Sequence, residues 1–167
     1  MKRLDCAICP GPLGDIRVVF DDGVLVLLDF DENSERIEKL LGKRYGSHSL
    51  QPVSCSSRIR ESLEKYFDGD FKALDRIEMD PGGTAFQRTV WDALGRIPAG
   101  ESRSYTELAG EIGMPKAARA VGNANARNPI SIAIPCHRVI GRNGRLSGYA
   151  GGVSRQQWLL QHEGAIR

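Results

Sequence analysis

The sequence predicts an α+β fold in two parts, a small β-sheet unit with helices followed by a mainly helical unit that contains a helix-turn-helix. Apolar runs around an Asp-Gly pair fill the beginning of the chain, which is typical of short strands joined in a hairpin. Apolar residues at helical spacing fill the second half. The turn-forming cluster Asp80-Pro81-Gly82-Gly83 separates the two patterns, so we place a domain boundary there, between residues 1–80 and residues 81–167.

Three strand candidates open the first half. Arg3 to Cys9 predicts a strand that ends at Pro10-Gly11-Pro12. Ile16 to Phe20 and Val24 to Phe30 predict two further strands. The intervening Asp21-Asp22-Gly23 indicates a hairpin, because an Asp-Gly pair tolerates the positive φ angles of a tight turn.

Two helix candidates follow the hairpin. The first begins at the cap candidates Asn33 and Ser34, and Gly69 closes the second. Their apolar residues recur at helical spacing: Ile37, Leu40 and Leu41 in the first helix, and Ile59, Leu63, Tyr66 and Phe67 in the second. Leu74, Ile77 and Met79 then indicate a returning segment. This half holds no evident chemistry.

The second half begins with two more helix candidates. Apolar positions from Phe86 to Ile97 lie on one face of a helix that Pro98 stops. The next helix starts at Ser104, which forms a capping box with Glu107.

A third helix is predicted from Lys116 to Ala126, with Pro115 in its first turn, and a last one from about Val153 to Gln161. Gly113 separates the third helix from the one before it, so the pair is a helix-turn-helix candidate. From pattern alone an ordinary helical hairpin is about as good an interpretation.

The two halves differ in charge, although the whole chain carries only +2. Residues 1–80 contain 12 Lys and Arg against 16 Asp and Glu, and residues 81–167 contain 11 against 5, with ten arginines among the 11. Guanidinium groups pair bidentately with phosphates, so this balance modestly favours contact with nucleic acid over a merely solvated surface. The composition is that of a soluble globular protein without a membrane span or signal peptide, and we expect it in the cytoplasm.

The four cysteines, Cys6, Cys9, Cys55 and Cys136, are too few and too scattered to predict a disulfide scaffold, which agrees with a reducing compartment. Cys6 and Cys9 have the spacing of half a zinc site, with only His48 and Cys55 nearby as further ligands. The sequence contains no second ligand pair to complete a zinc site with Cys6 and Cys9, so we expect no bound metal.

The stretch Ile134-Pro135-Cys136-His137-Arg138-Val139-Ile140 is the strongest chemical signal in the chain. It puts a cysteine beside a histidine, after Asn128 to Ala133, which we interpret as a short linker and a strand. The glycine-rich segment from Gly141 to Gly152 follows, where backbone can approach a ligand closely. A reactive thiol and a buried packing cysteine are about equally consistent with these residues alone.

Six pieces of sequence, in order, resemble the O6-alkylguanine-DNA alkyltransferase family. They lie between about Thr84 and Glu163, half of the chain, and together they are specific. The pieces are Ser104-Tyr105, Pro115 to Gly122, Asn128-Pro129, Ile134 to Val139, Tyr149 with Gly151-Gly152, and His162-Glu163-Gly164. The resemblance implies a winged-helix-like second domain, and we expect the first to be a ribonuclease H-like α+β unit.

The resemblance also implies a reaction. Cys136 takes the alkyl group from O6 of guanine, possibly also O4 of thymine, once and irreversibly, without a cofactor or metal. His137 takes the thiol proton through a water, and Glu163 orients the imidazole. Tyr105 donates a hydrogen bond to the departing guanine, and Asn128 shapes the turn before the active site.

The implied partner is double-stranded DNA, held at its minor groove by a monomeric protein. Arg119 fills the space of the flipped base, while Lys116, Ala118 and Arg127 complete the DNA-binding set. The implied pocket consists of Pro135, Val139, Tyr149, Ala150 and Gly151. Ala150 departs from family members that have serine there, so a hydroxyl contact to O6 is absent.

Two other functions fit part of the sequence. A cysteine hydrolase using Cys136 with His137 or His162 predicts repeated turnover, whereas repair predicts one alkyl group per protein. A module that binds alkylated bases without reacting is the second, and the presence of Cys136 argues against it.

Overall fold

The computed structural model describes residues 1–146 and 148–167. Two compact units divide the chain, Met1–Gly82 and Gly83–Arg167. A mixed β-sheet with helices in the first unit and a mainly helical second unit confirm the predicted α+β class. The ribonuclease H-like and winged-helix-like assignments stay predictions. Among the described residues, every helix is too short or too polar to span a lipid bilayer.

A four-stranded sheet forms the framework of the first unit. Its strands are β1 (Lys2–Cys9), β2 (Ile16–Asp21), β3 (Val24–Phe30) and β4 (His48–Pro52), in the spatial order β3-β2-β1-β4. The predicted hairpin between β2 and β3 is present, and both Asp22 (φ 51°) and Gly23 (φ 84°) have the positive φ of a type I′ turn. Strand β4, which pairs parallel to β1, was not predicted, because its residues are only partly buried and show no alternation.

Helices α1 (Ser34–Tyr45) and α2 (Ser57–Phe67) agree with the predicted pair. A core cluster joins α1 to the sheet through Leu4, Val19, Val26, Leu27, Ile37 and Leu41. The returning segment is a 3₁₀ turn, Ala73–Arg76, followed by a bridge from Met79 to Leu25. Buried Asp29 anchors the start of α1, because its carboxylate accepts hydrogen bonds from Asn33 and, at 2.6 Å, from Arg36.

A disulfide joins Cys9 at the end of β1 to Cys55 before α2, across 46 residues of sequence. The cysteine count did not predict this bond, because a parallel strand that was not predicted brings the two segments together. The disulfide uses two of the four zinc-ligand candidates, Cys9 and Cys55. Cys6 is a free, half-buried thiol whose pKa is raised by that burial.

The second unit contains helices α3 (Ala85–Gly95), α4 (Tyr105–Glu111), α5 (Ala118–Ala126) and α6 (Val153–His162). The predicted capping box of α4 is present, since Ser104 and Glu107 each accept the other's backbone N–H at 3.0 Å. The prediction that the third helix starts at Lys116 is wrong. Lys116 lies in the turn before α5, and Ala117 is the N-cap residue.

Trp91 ties α3 to α5, because its indole N–H donates to the carbonyl of Ala124 at 2.9 Å. A short parallel pair, β5 (Arg103–Ser104) and β6 (Val139–Ile140), connects the start of α4 to the segment after Cys136. The beginning of the helix-turn-helix is thereby fixed to the active-site segment.

The predicted strand before Cys136 is wrong. Residues 131–134 form consecutive turns, with Ala133 N–H donating to Ser131 O at 2.8 Å and Ile134 N–H to Ile130 O at 3.0 Å. Ile132 has φ +69°, a conformation that β-branched residues rarely adopt. The alternating isoleucines resemble a strand in sequence because the turns bury them as a strand would.

Candidate active site

A 3₁₀ turn, Cys136–Arg138, presents the candidate nucleophile. The backbone N–H of Cys136 donates to Ile134 O at 2.8 Å, and that of Arg138 to Pro135 O at 3.0 Å. Cys136 is 2% exposed and His137 is fully buried. Neighbours on a strand point to opposite faces, but the chain turns here, so sequence adjacency does not keep the two side chains apart.

Glu163 holds the His137 imidazole. The Nε2–H of His137 donates to Glu163 Oε2 at 2.9 Å, and both side chains are inaccessible to solvent. With the proton on Nε2, the lone pair of the neutral ring lies on Nδ1. Nδ1 is buried and has no hydrogen-bond partner among the described residues. His137 is therefore oriented as a base whose accepting nitrogen faces away from Glu163.

Arg138 holds the other side of the same carboxylate. Its Nε donates to Glu163 Oε1 at 2.8 Å and its Nη2 to Oε2 at 3.0 Å, while Nη1 donates to Ile97 O at 2.6 Å. A bidentate pair fixes the carboxylate plane. Sequence reasoning missed this buried arginine; the only signal was its place within the motif beside Cys136.

The electrostatics keep His137 neutral and Glu163 ionised. Burial lowers the pKa of His137, the hydrogen bond to Glu163 opposes that shift, and the positive charge of Arg138 adds to it. Burial alone would raise the pKa of Glu163, but hydrogen bonds from His137 and Arg138 hold that pKa well below its usual range. The group can thus accept a proton on imidazole while its carboxylate stays charged.

Gln156, on α6, anchors the backbone of the segment that follows Cys136. Its side-chain N–H₂ donates to His137 O at 3.1 Å and to Val139 O at 3.0 Å. Glu163, the C-cap residue of the same helix, has its backbone N–H bonded to Leu159 O. One helix therefore positions both the backbone and the imidazole of His137. Sequence reasoning also missed Gln156.

Asn128 organises the turns that precede the nucleophile. Its side-chain amide donates to Ile134 O at 2.7 Å and Ile130 O at 3.3 Å, and its carbonyl accepts from Ile130 N–H at 3.0 Å. These hydrogen bonds of the Asn128 side chain hold Ile132 in its left-handed conformation. Asn128 is fully buried and acts on backbone groups.

Tyr105 opens α4 and reaches toward the nucleophile. Burial and the Cys136 thiol raise the pKa of Tyr105, while a hydrogen bond from Asn125 lowers it. A Cβ placed on Gly148 would lie 3.5 Å from its hydroxyl, and one placed on Gly122 3.7 Å from its ring. The phenol thus stays protonated and can donate a hydrogen bond.

An open cleft of about 470 Å³ adjoins Tyr105 on the helix-turn-helix. It is lined by Ser104, Tyr105, Thr106, Ala118, Arg119, Gly122, Asn123 and Arg142. Two predicted DNA-binding residues, Ala118 and Arg119, therefore lie beside the predicted hydrogen-bond donor. Lys116 and Arg127 are exposed but do not line the cleft. Arg142 was missed, since it follows the motif without a pattern of its own.

The predicted pocket residues are buried to different degrees, and Tyr149 contacts His137. Tyr149 is 7% exposed and meets the imidazole edge-on, with ring centroids 6.4 Å apart. Pro135, Val139 and Gly151 are buried, and Ala150 is half-buried. The predicted loop from Gly141 to Gly152 contains a 3₁₀ turn, Arg142–Gly144, and includes Ser147, which lies outside the described residues.

The alternative histidine is placed differently. His162 stacks on Trp158, with ring centroids 4.8 Å apart, whereas His137 is the histidine that pairs with Glu163. Within residues 1–146 and 148–167 there is no group of three or more His, Cys, Asp or Glu side chains that could hold a metal ion.

Comparisons with known proteins agree with this geometry. A family model described as the DNA-binding domain of 6-O-methylguanine DNA methyltransferase matches residues 85–165. The chain is 48% identical to a methylated-DNA–protein-cysteine methyltransferase of Salmonella typhimurium over 93% of this chain and 92% of that protein. It is 43% identical to the Methanosarcina acetivorans protein of that name, over 95% and 97% of the two chains.

A solved structure shares the fold over 96% of this chain. The crystal structure of Mycobacterium tuberculosis OGT in complex with DNA aligns with a TM-score of 0.78 at 39% identity, covering 96% of this chain and 92% of that one. On the strength of these relatives, this chain belongs to the methylated-DNA–protein-cysteine methyltransferase family.

Proposed function

We propose that this protein repairs DNA directly, by moving the alkyl group from O6 of alkylated guanine to the thiol of Cys136. The observation that carries the proposal is the hydrogen bond from His137 to Glu163 beside Cys136, since it leaves imidazole Nδ1 ready to accept the thiol proton. Two comparisons support the proposal. One relative has been solved in complex with DNA, and another is named methylated-DNA–protein-cysteine methyltransferase.

The proposed step is a substitution at saturated carbon. Nδ1 of His137 takes the proton of Cys136 through a water, and the thiolate attacks the alkyl carbon. The S–C bond forms as the C–O6 bond breaks, and the electron pair stays with guanine. The guanine anion then takes up one proton, which balances the proton that left the thiol for His137. The resulting thioether resists water, so each molecule reacts once and needs no cofactor.

Tyr105 takes the role of hydrogen-bond donor to the leaving base in this proposal. Negative charge builds on guanine as the C–O6 bond breaks, and an aimed O–H stabilises it more than it stabilises the neutral substrate. A protonated phenol at the edge of the cleft suits that role. Because Ala150 brings no hydroxyl, contacts to O6 itself come from backbone N–H groups.

The target base must leave the duplex to reach a buried thiol. Helix α5 carries Arg119 on the cleft beside Tyr105, which suits a side chain that fills the emptied place in the base stack from the minor groove. The exposed arginines Arg127 and Arg142, together with Lys116, are suited to phosphate contacts. Val139, Tyr149 and Gly151, with Pro135, form the proposed base pocket.

A monomer that acts on chromosomal DNA works in the cytoplasm, and this is the compartment we propose. The Cys9–Cys55 disulfide would be exposed to reducing thiols there, but it lies outside the unit that carries Cys136. In this proposal the second unit performs the chemistry.

Intact mass after incubation with a duplex containing one O6-methylguanine tests the proposal. The expected result is a gain of one methyl group, mapped to Cys136 by peptide analysis. An unchanged mass, or a methyl group on another residue, would reject it.

A further inference from the structure

The two sulfurs of the Cys9–Cys55 disulfide lie in different surroundings. Cys9, at the end of β1, is fully buried, and its backbone lies opposite Ile16 of β2. Cys55 is partly exposed and follows residues 51–54, which are all exposed. A dissolved thiol or disulfide therefore has access to the sulfur of Cys55 and is kept away from the sulfur of Cys9.

Cys55 also lies where a thiolate is favoured. It stands one residue before Ser56, the N-cap of α2, and Arg58 and Arg60 follow within the first turn of that helix. The N-terminal end of a helix and nearby guanidinium groups stabilise an anion, and the thiolate is the form that attacks a disulfide. In the reduced protein Cys55 is therefore expected to be a good nucleophile.

The other two cysteines are less suited to such a reaction. Cys6 packs its half-buried side chain against the core cluster of the first unit, and burial raises the pKa of its thiol. Cys136 is 2% exposed and belongs to the second unit. A molecule as large as a tripeptide disulfide is therefore expected to react with Cys55 before it reacts with either of them.

We propose that Cys55 is a modification site for low-molecular-weight disulfides of the glutathione type, and that Cys9 then displaces the added group to close the Cys9–Cys55 bond. The Cα atoms of the two cysteines are 5.5 Å apart, within the usual range for a disulfide. Closure therefore needs little movement of the backbone. The inference concerns the first unit and does not depend on alkyl transfer.

The proposed oxidation consists of two exchange steps. The Cys55 thiolate attacks one sulfur of glutathione disulfide, which forms a mixed disulfide on Cys55 and releases one glutathione thiolate. The sulfur of Cys9 then attacks Sγ of Cys55 and releases the second glutathione thiolate. The two cysteines lose two electrons, which glutathione disulfide gains, and the two thiol protons end on the two released glutathione molecules.

The closed bond ties the segment between β4 and α2 to the end of β1. The Val53 N–H donates to Cys6 O at 2.9 Å, and the disulfide adds a covalent link two residues later. Oxidation through Cys55 would therefore fasten this exposed segment under oxidising conditions, while the buried thiol of Cys136 stays free.

Mass spectrometry of the reduced protein tests the inference. Wild type, Cys9→Ala and Cys55→Ser are reduced with dithiothreitol, freed of it and mixed with glutathione disulfide. Samples are quenched with acid at successive times, and the modified cysteines are identified by peptide mapping. If Cys9→Ala does not fold, Cys9→Val, which fills the same buried site, is measured instead.

The three proteins have different expected products. Wild type should pass through a mixed disulfide on Cys55 and end with the Cys9–Cys55 bond. Cys9→Ala should stop at the mixed disulfide on Cys55, formed about 10-fold faster than any on Cys6. Cys55→Ser should take up glutathione about 10-fold more slowly than Cys9→Ala, because it lacks the accessible thiol.

Several results would overturn the inference. The first is a glutathionyl group that forms on Cys6, Cys9 or Cys136 as fast as on Cys55. The second is a mixed disulfide on Cys55 of wild type that persists without closing. Equal uptake of glutathione by Cys55→Ser and Cys9→Ala, or no modification of either, would also reject Cys55 as the site.

Discussion

His137 and Glu163 form a buried pair in which imidazole Nε2 donates to a carboxylate oxygen at 2.9 Å. This one contact selects the tautomer of the histidine, since the proton on Nε2 leaves the lone pair on Nδ1. Arg138 bonds to both oxygens of the same carboxylate and keeps it from rotating away. The proposed chemistry of Cys136 depends on this arrangement more than on any property of the thiol alone.

Glu163→Gln should move the iodoacetamide labelling of Cys136 to higher pH. The hydrogen bond and charge of Glu163 raise the pKa of His137, so their loss lowers that pKa further and weakens the imidazole as a base. A weaker base takes the thiol proton less readily, and labelling at pH 7 should fall by about 10-fold. The exposed Glu61→Gln is the matched control. A labelling profile that coincides with wild type would mean that Glu163 takes no part.

Arg138→Met should lower the free energy of unfolding by about 3–5 kcal/mol, because it leaves the buried Glu163 carboxylate without its charged partner. Arg142→Met makes the same chemical change at an exposed position four residues later and should cost no more than about 0.5 kcal/mol. Urea unfolding of the two variants measures the difference. Similar losses in both would contradict the buried pairing.

Arg119→Ala should separate base flipping from chemistry. The side chain lines the cleft beside Tyr105 and is expected to offset part of an unstacking cost of a few kcal/mol. Transfer from duplex DNA should slow about 10-fold or more at saturating DNA, while transfer from a free O6-alkylguanine base should stay close to wild type. Arg88→Ala controls for the loss of one positive charge. Equal slowing with duplex and free base would assign Arg119 a structural role instead.

The Cys9–Cys55 disulfide should stabilise the first unit by roughly 4 kcal/mol, from the chain entropy lost on closing a loop of 46 residues. Dithiothreitol should therefore lower the urea midpoint of wild type and of Cys6→Ser, which keeps the bond. Dithiothreitol should leave the urea midpoint of Cys55→Ser unchanged. If it lowers that midpoint as much as it lowers the wild-type midpoint, the stability lost on reduction does not come from the Cys9–Cys55 bond.

The sequence predicted elements with strong periodic or capping signals and missed those created by tertiary contacts. The hairpin at Asp22-Gly23 and the capping box at Ser104 are local, so their residues determine them. Strand β4 has little local signal and exists because it pairs with β1. The isoleucines before Cys136 indicated a strand, but the segment forms turns that backbone hydrogen bonds close and that the side chain of Asn128 holds.

The active site shows the same division. The motif around Cys136 and the family resemblance named His137, Glu163 and Tyr105 as candidates. Arg138 and Gln156 were not named, because a buried arginine or glutamine is distinguished from a surface one only by partners distant in sequence, Glu163 for the first and the His137 carbonyl for the second.

The number of guanines restored per protein molecule distinguishes a single irreversible transfer to Cys136 from repeated hydrolysis. Protein is mixed with a tenfold excess of O6-methylguanine duplex and followed until the reaction stops. We expect one guanine restored per molecule, with an equal amount of methylated Cys136, and none for Cys136→Ser. Several guanines restored per molecule, as a hydrolase would give, or full activity in Cys136→Ser, would contradict it.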